Sequence, residues 1–108
     1  MIATATHASA MSRIGHALSD STRTSILLSL RSGQRSPADL AEDLGVSRQS
    51  MSNHLTCLRG CGLVLAERAG RHAHYRLADP ALFDILDELL AITLTLDPTC
   101  CTGDECRC

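Results

Sequence analysis

The 108 residues are enough for one domain with a hydrophobic core, although at this size a second subunit often adds to the core. Tyr75 and Phe83 are the only aromatic residues, so the core must come from aliphatic side chains, which favours packed helices. No run approaches the roughly 20 apolar residues of a membrane span, which argues against a membrane-spanning helix. The net charge of -2 argues at first against nucleic-acid binding.

The distribution of charge matters more than its sum. Between residues 47 and 76, five arginines stand against one glutamate, a net charge of +4. From residue 78 to the end, one arginine stands against seven carboxylates, a net charge of -6. The segment from 47 to 76 is therefore the candidate contact with a polyanion.

Cysteine usage depends on the cellular compartment. The first ten residues contain no basic cluster followed by an apolar run, so the sequence predicts a cytoplasmic protein. In that reducing compartment, the six cysteines are expected to be metal ligands or redox-active thiols rather than structural disulfides. None lies in the first half of the chain, which also disfavours a disulfide-bonded secreted scaffold.

Apolar spacing and capping residues predict four helices in the first 60 residues. The first covers residues 8–18. The second follows a cap at Asp20 and ends near Gly33, and the third begins at Ser36-Pro37. After the tight turn Gly45-Val46-Ser47, the fourth runs to about residue 60, which completes a helix-turn-helix. The residues expected to be buried are Ile26, Leu27, Leu28, Leu30, Ala38, Leu40, Ala41, Leu44, Met51, Leu55 and Leu58.

The remaining residues predict a β-wing and a final helix. Two short strands at 63–68 and 73–77 are joined by a cationic, glycine-containing loop at 69–72. Asp79-Pro80 then caps a helix that ends at Asp97-Pro98 and whose broad apolar face suggests pairing with a second subunit. The predicted architecture is mainly α with a small β-hairpin, a homodimeric winged helix-turn-helix. Residues 1–97 form this DNA-binding and dimerisation domain, and residues 98–108 form a Cys-rich metal-binding tail.

The fourth helix is the candidate DNA reader. Polar side chains at its start can reach base edges and phosphates in the major groove, and cationic wing residues can follow the DNA backbone. The candidate DNA-binding residues are Arg48, Gln49, Ser50, Ser52, Asn53, Arg68, Arg71 and His72.

Cys57 and Cys61 lie on the same predicted helix. Residues four apart on a helix have Cβ atoms about 5 to 6 Å apart, so the two sulfurs can turn towards one ion. Two thiolates make an incomplete site, and a third must come from elsewhere in the chain or from a partner subunit. Soft sulfur ligands select soft or borderline metal ions.

Taken together, these elements resemble the ArsR/SmtB family of metal-responsive winged-helix repressors over about residues 11–96. The resemblance rests on LSDSTR at 18–23, DLAEDLGVS at 39–47, MSNHL at 51–55 and LRGCGLV at 58–64, with GR at 70–71 and YRL at 75–77. It implies a homodimer that binds double-stranded operator DNA when metal-free and dissociates when metal binds. The run from His54 to Val64 is similar to that of the family's actinobacterial cadmium/lead sensors.

Family metal sites can be compared with this chain position by position. The Cys-x-Cys used by many arsenite and cadmium sensors would fall near residues 36–39, where there is no cysteine. The zinc/nickel site of the last helix needs histidines, and only the carboxylates Asp84, Asp87 and Glu88 are present. The resemblance therefore implies a site made of Cys57, Cys61 and one tail cysteine.

Among the tail cysteines, Cys101 is favoured over Cys100 because it reaches further beyond the end of the last helix. Cys106 and Cys108 form either a second capture site or a solvated tail. The inducer expected for three thiolates is Cd(II) or Pb(II). As(III), which also accepts three thiolates, and Zn(II) are less favoured.

Two other functions remain open at this point. A metal buffer would bind ions through the tail thiols without operator affinity. A thiol-redox repressor would release DNA on oxidation and would not respond to metal. An enzyme is not expected, because the sequence contains no recognisable nucleophile-base constellation or cofactor loop.

Overall fold

The computed structural model of the chain describes the backbone of residues 2–93 and the side chains of residues 6–68 and 70–92. The elements in this range are α1 (Ile2–Leu18), α2 (Ser21–Ser29), a 3-10 turn (Leu30–Ser32), α3 (Pro37–Leu44), α4 (Arg48–Gly60), β1 (Val64–Ala69), β2 (His72–Leu77) and α5 (Ala81–Thr93). The predicted fold of helices with one antiparallel hairpin is confirmed. The predicted tail at 98–108, its four cysteines and the helix end at Asp97-Pro98 lie outside the described residues.

Three helices begin where the sequence predicts, because a local side chain caps each one. The side chains of Asp20, Ser36 and Ser47 each accept a hydrogen bond from the backbone N–H three residues later, at 2.9, 3.1 and 3.0 Å. Each bond satisfies one of the amide groups that a helix start leaves without a partner. Pro37 occupies the first turn of α3, where its missing N–H costs nothing.

The predicted start of α1 and the predicted bounds of both wing strands are wrong, since β1 covers Val64–Ala69 and not residues 63–68. Helix α1 begins at Ile2 and not at residue 8, because residues 2–7 contain neither glycine nor proline to stop the helix. Strand β2 begins at His72, which pairs with residue 69, so the hairpin turn contains two residues where a four-residue loop was predicted. Two residues are enough to connect antiparallel strands. As a consequence, His72 belongs to a strand and its side-chain direction is set by the sheet.

The core lies between α2, α3, α4 and the start of the hairpin. Met51, Leu55 and Leu58 of α4 are at most 1% exposed, as predicted from their spacing. Three other predicted core residues are only half-buried. Leu28 and Leu44 pack against the edge of the core, and Ala38 is not part of it. The fully or nearly fully buried hydrophobic residues are Ala17, Ile26, Leu27, Leu30, Leu40, Ala41, Met51, Leu55, Leu58, Leu63, Val64 and Leu86.

The wing is attached to the helix-turn-helix by backbone hydrogen bonds. The N–H of Arg35 donates to the carbonyl of Tyr75 at 3.0 Å, and the N–H of Tyr75 donates to the carbonyl of Arg35 at 2.8 Å. This short antiparallel bridge joins β2 to the segment immediately before α3. The orientation of the wing relative to α3 and α4 is therefore defined by the fold.

Helix α5 buries only one of its large apolar side chains. Leu86 packs into the core, while Phe83, Ile85, Leu89, Leu90 and Ile92 are between 42% and 50% exposed. Leu89 and Leu90 line an apolar groove of about 240 Å³ with Leu18 and Leu28. Within residues 2–93, no helix is long and apolar enough to cross a membrane.

Candidate DNA and metal sites on helix α4

The turn between α3 and α4 is a C-terminal cap followed directly by an N-terminal cap. Val46 N–H donates to the carbonyl of Ala41 at 3.1 Å, and Gly45 N–H donates to that of Glu42 at 3.3 Å. These two bonds form the Schellman arrangement, which requires the left-handed conformation that Gly45 adopts at φ +66°. Ser47 then caps α4. The angle between the two helices is thus determined by a turn of three residues.

The start of α4 presents polar side chains to solvent. Arg48, Gln49, Ser52 and Asn53 are exposed, because the opposite face of the helix packs into the core. The amide Nε2 of Gln49 donates to Oδ1 of Asn53 at 3.1 Å, so two of the candidate DNA-binding side chains are hydrogen-bonded to each other. Ser50 is half-buried, and its backbone N–H is the partner of the helix cap.

The wing candidates Arg68, Arg71 and His72 are all exposed. The fold brings Arg71 and His72 to the same cavity as Arg48, together with His74 and the first residues of α3. This cavity of about 360 Å³, called the basic cavity below, has no acidic lining residue. Arg68 does not line it. Three of the eight predicted DNA-binding residues therefore meet at one place.

Charge compensation separates the arginines into two groups. Arg31 pairs with Asp87, Arg35 pairs with Asp43, and Arg76 donates to Glu67 at 2.6 Å. In the described part of the chain, Arg48, Arg68 and Arg71 form no ion pair. Their charge is available for an external anion.

His74 is a site residue that the sequence analysis did not identify. It lines the basic cavity, and its Nδ1 is buried without a hydrogen-bond partner among the described residues. Alternation along a strand could have indicated it, since His72 and His74 are two residues apart and therefore lie on the same face of β2.

The other end of α4 carries the two cysteines. The helix ends in a second Schellman arrangement, in which Leu63 N–H donates to the carbonyl of Leu58 at 3.0 Å and Gly62 adopts φ +78°. Cys61 is the last residue before this reversal, and its N–H donates to the carbonyl of Cys57 at 3.0 Å. The backbone of Cys61 is therefore held at a defined position, one helical turn after Cys57.

Both thiols are free and half-buried. Cys61 packs against the edge of the core, and Cys57 is not among the residues that pack there. Within residues 2–93, no three His, Cys, Asp or Glu side chains come together in a group that could hold a metal ion. A complete thiolate site therefore needs a donor from outside this range or from a second subunit, and the participation of Cys100, Cys101, Cys106 and Cys108 stays a prediction.

A polar contact connects the middle of α4 with the start of α2. Nδ1 of His54 lies 3.8 Å from Oδ2 of Asp20, the cap of α2. The hydrogen bond from the backbone N–H of Arg23 is the main cause that lowers the pKa of Asp20, and His54 contributes in the same direction. The sequence analysis did not identify this contact, because it joins residues 34 positions apart.

Comparisons with known proteins agree with this geometry. Residues 20–65 match the family described as bacterial regulatory protein, arsR family. The chain is 49% identical over 89 residues to the HTH-type transcriptional regulator CmtR of Mycobacterium tuberculosis, a match that covers 82% of this chain and 75% of that protein. It is 37% identical over 101 residues to the probable mercury resistance operon repressor of Streptomyces lividans, covering 90% of this chain and 79% of the relative.

Two solved structures are also similar. The NMR structure of the cadmium metal-sensor CmtR from M. tuberculosis has a TM-score of 0.68 at 46% identity, covering 87% of this chain and 98% of that chain. The homodimeric winged helix-turn-helix DNA-binding domain of Mb0332 from Mycobacterium bovis has a TM-score of 0.79 at 28% identity, covering 83% of each chain. The shared fold and the identity over most of the chain show that this protein belongs to the ArsR/SmtB family of bacterial transcriptional regulators, which are DNA-binding proteins and not enzymes.

Proposed function

We propose that the protein is a metal-sensing transcriptional repressor. It binds operator DNA as a homodimer in the metal-free state, in the bacterial cytoplasm, and releases the DNA when Cd(II) or Pb(II) binds its cysteine thiolates. The observation that carries this proposal is that the candidate DNA-binding residues of the helix-turn-helix and two free thiols lie on one helix. Helix α4 presents polar side chains at Arg48 to Asn53 and two thiols at Cys57 and Cys61.

The DNA-binding part of the proposal is supported by exposure and charge. The side chains of Arg48, Gln49, Ser52 and Asn53 are exposed at the start of α4, where a recognition helix contacts base edges. Ser50 lies at the same end of the helix. Arg68, Arg71 and His72 extend the contact along the phosphate backbone, since the exposed arginines lack ion-pair partners among the described residues.

The homodimer is supported by the exposed face of α5. Apolar patches of this kind on a small domain mark an interaction surface, and a second copy of the same face is self-complementary about a two-fold axis. Leu89 lines the groove between α5 and α2 and is 42% exposed. The similar domain Mb0332 is homodimeric. A dimer places two copies of α4 against two half-sites about 34–36 Å apart.

The metal-binding part rests on donor chemistry. Cys57 and Cys61 supply two soft donors, and Cys101 of the tail, or Cys100 in its place, supplies the third. Soft thiolates select soft ions, which favours Cd(II) and Pb(II) over Zn(II), and As(III) is the remaining three-thiolate alternative. The similarity to CmtR, described as a cadmium metal-sensor, points to the same class of inducer. Cys106 and Cys108 are proposed as a second capture site.

Coupling between the two ends follows from the rigidity of α4. Its 13 residues span about 20 Å, so a tilt of about 5° at the cysteine end moves the DNA-reading end by about 2 Å. Hydrogen bonds to bases and phosphates do not tolerate such a displacement, because they require donor-acceptor distances near 3 Å. A metal ion that links Cys57 and Cys61 to the tail therefore tilts α4 away from the orientation that binding to two half-sites requires.

Fluorescence anisotropy of a labelled duplex tests the proposal. The duplex is selected from a random library by the metal-free protein, and its affinity is measured with and without Cd(II) or Pb(II). We expect the metal to weaken binding at least tenfold, which corresponds to about 1.4 kcal/mol of coupling. Equal affinities would refute the proposal, and metal binding by a protein without affinity for any duplex would indicate a metal buffer.

Cysteine variants identify the ligands. Cys57→Ser and Cys61→Ser should retain DNA binding, lose the metal response and lose the part of the thiolate-to-metal charge-transfer absorption that belongs to this site. Among Cys100→Ser, Cys101→Ser and the Cys106→Ser/Cys108→Ser variant, only Cys101→Ser should abolish the metal response while retaining DNA binding. Loss of both DNA and metal binding would indicate a structural role. Release of DNA by mild peroxide without any metal response would favour the thiol-redox repressor.

A further inference from the structure

The basic cavity lies where α3, α4 and the wing come together. Its walls include Arg48 at the first position of α4, Arg71 of the hairpin turn, and His72 and His74 of β2. The backbone bridge between Arg35 and Tyr75 holds β2, and with it His72 and His74, beside the start of α3. Residues distant in the sequence therefore form one concave surface.

The cavity has the electrostatics of an anion site. None of its lining residues is acidic, and neither Arg48 nor Arg71 is neutralised by a carboxylate in the described part of the chain. Ser36 and Ala38 belong to the start of α3, and the partial positive charge of a helix start adds to that of the arginines. Two like charges facing one space without a counter-ion repel each other, and an anion between them removes that repulsion.

The size of the cavity fits a small anionic group. Its volume of about 360 Å³ is many times the roughly 30 Å³ that one water molecule occupies in the liquid. A phosphate with some of its hydration water can therefore enter. Arg48 and Arg71 can then bind its oxygens through charge-assisted hydrogen bonds, which the planar guanidinium group favours.

We propose that the basic cavity holds one phosphate of the operator backbone, with Arg48 and Arg71 on either side of it. This inference rests on the proposed DNA-binding function and specifies one contact within it. Arg48 immediately precedes the exposed residues that face the bases, so a phosphate bound here sets the depth and register of α4 in the major groove. The cavity positions the reader and carries no sequence information itself.

The salt dependence of DNA binding tests how many phosphates the two arginines neutralise. Binding of the full metal-free protein to the selected duplex is measured by anisotropy over a range of NaCl concentrations. Each phosphate contact contributes about 0.9 to the slope of log K against log [NaCl]. In the Arg48→Ala/Arg71→Ala variant, the magnitude of this slope should fall by about 1.8 per dimer, which is the value for one shared phosphate in each protomer. A loss of about 3.6 would mean two separate phosphates and would overturn the proposal, as would no loss.

Arg59→Ala is the matched control, because Arg59 is exposed at the opposite end of the same helix and does not line the cavity. It removes one arginine per protomer, half the charge that the double variant removes, and should leave the slope unchanged. The Arg48→Gln/Arg71→Gln variant repeats the measurement with longer neutral side chains, so that the result does not depend on the folding of one variant.

Duplexes with a single neutral methylphosphonate locate the contact. At one position in each half-site, the substitution should weaken binding of the wild-type protein and have no effect on the double variant. If every position affects both proteins equally, the shared-phosphate proposal is wrong while the repressor function stands. If the wild-type protein binds no duplex at all, both are wrong.

Discussion

Replacing Gly62 with alanine is expected to destabilise the protein at the end of α4 that carries the cysteines. Gly62 adopts φ +78° directly after Cys61, in the cap that ends the helix. An L-residue in this left-handed conformation costs about 1–2 kcal/mol, because its Cβ approaches the following carbonyl oxygen. An added Cβ would have no other heavy atom within 4 Å, so the cost is conformational and not a clash with neighbouring side chains.

The net effect is somewhat smaller than the conformational cost. Alanine also restricts the unfolded chain, which offsets about 0.4–1 kcal/mol. We therefore expect the free energy of unfolding to fall by about 1 kcal/mol, which lowers Tm by about 4–8 °C for a domain of this size. Because the strain is next to Cys61, Cd(II) affinity should fall as well, while metal-free DNA affinity should stay near that of the wild type.

Urea unfolding followed by circular dichroism at a constant protein concentration measures the effect. Gly60→Ala is the matched control, since it makes the same chemical change two residues earlier. Gly60 is the last residue of α4 and lacks a positive φ, and an added Cβ would meet no heavy atom within 4 Å apart from its chain neighbours and the backbone of its own helix. Gly60→Ala should therefore stabilise the protein by up to about 0.5 kcal/mol, the lower limit of the value for a helix interior. The reasoning about the cap is refuted if both variants shift stability in the same direction.

Three further predictions concern the dimer and the helix caps. Leu89→Arg should convert the dimer to a monomer, as measured by sedimentation equilibrium. The control Gln34→Arg adds the same charge at an exposed residue outside the apolar groove and should remain dimeric. A dimeric Leu89→Arg protein would exclude this face of α5 as the interface. Ser47→Ala should lower the free energy of unfolding by about 1 kcal/mol, because it removes the side-chain cap of α4. The control Ser52→Ala should lower it by less than about 0.5 kcal/mol. Equal values from urea unfolding would contradict the role of the cap. The pKa of Asp20 lies below its ordinary value of 3.8, so its stabilising effect is complete above that value and is lost as pH falls through the folded-state pKa. Asp20→Asn retains a capping oxygen that does not titrate. Between pH 5 and pH 3, the free energy of unfolding of this variant should therefore fall less than that of the wild type. Equal decreases in the two proteins would contradict the stabilising effect assigned to the Asp20 carboxylate.

Helix starts and the faces of α4 were predictable because they depend on neighbouring residues. A cap needs only a side-chain oxygen three residues before the amide that it accepts from, as at Ser36 and Ser47. The burial of Met51, Leu55 and Leu58 follows from the helical period alone, and the exposure of Arg48 and Asn53 follows with it. The placement of Cys57 and Cys61 one turn apart has the same origin.

The predictions that failed or were incomplete involve weaker local signals or long-range contacts. The first turns of α1 contain no regular apolar pattern, so their helical conformation was not predicted. The assignment of His72 to β2 depends on the pairing of two strands, and the position of His74 in the basic cavity depends on which surface that strand faces. The contact between His54 and Asp20 joins the middle of α4 to the start of α2 through the packing of these two helices.

The amino-acid sequence alone determined the order of the elements, the boundaries set by caps, and the presence of a candidate DNA-reading end and two thiols on one helix, because these features depend on interactions within a few residues. Only the tertiary structure decided that Arg48 and Arg71 share a cavity and that Leu86, and not Leu89, is the α5 side chain buried in the core. Both depend on how distant segments pack, and the shared cavity depends on the backbone bridge from Arg35 to Tyr75 that attaches the wing to the helix-turn-helix.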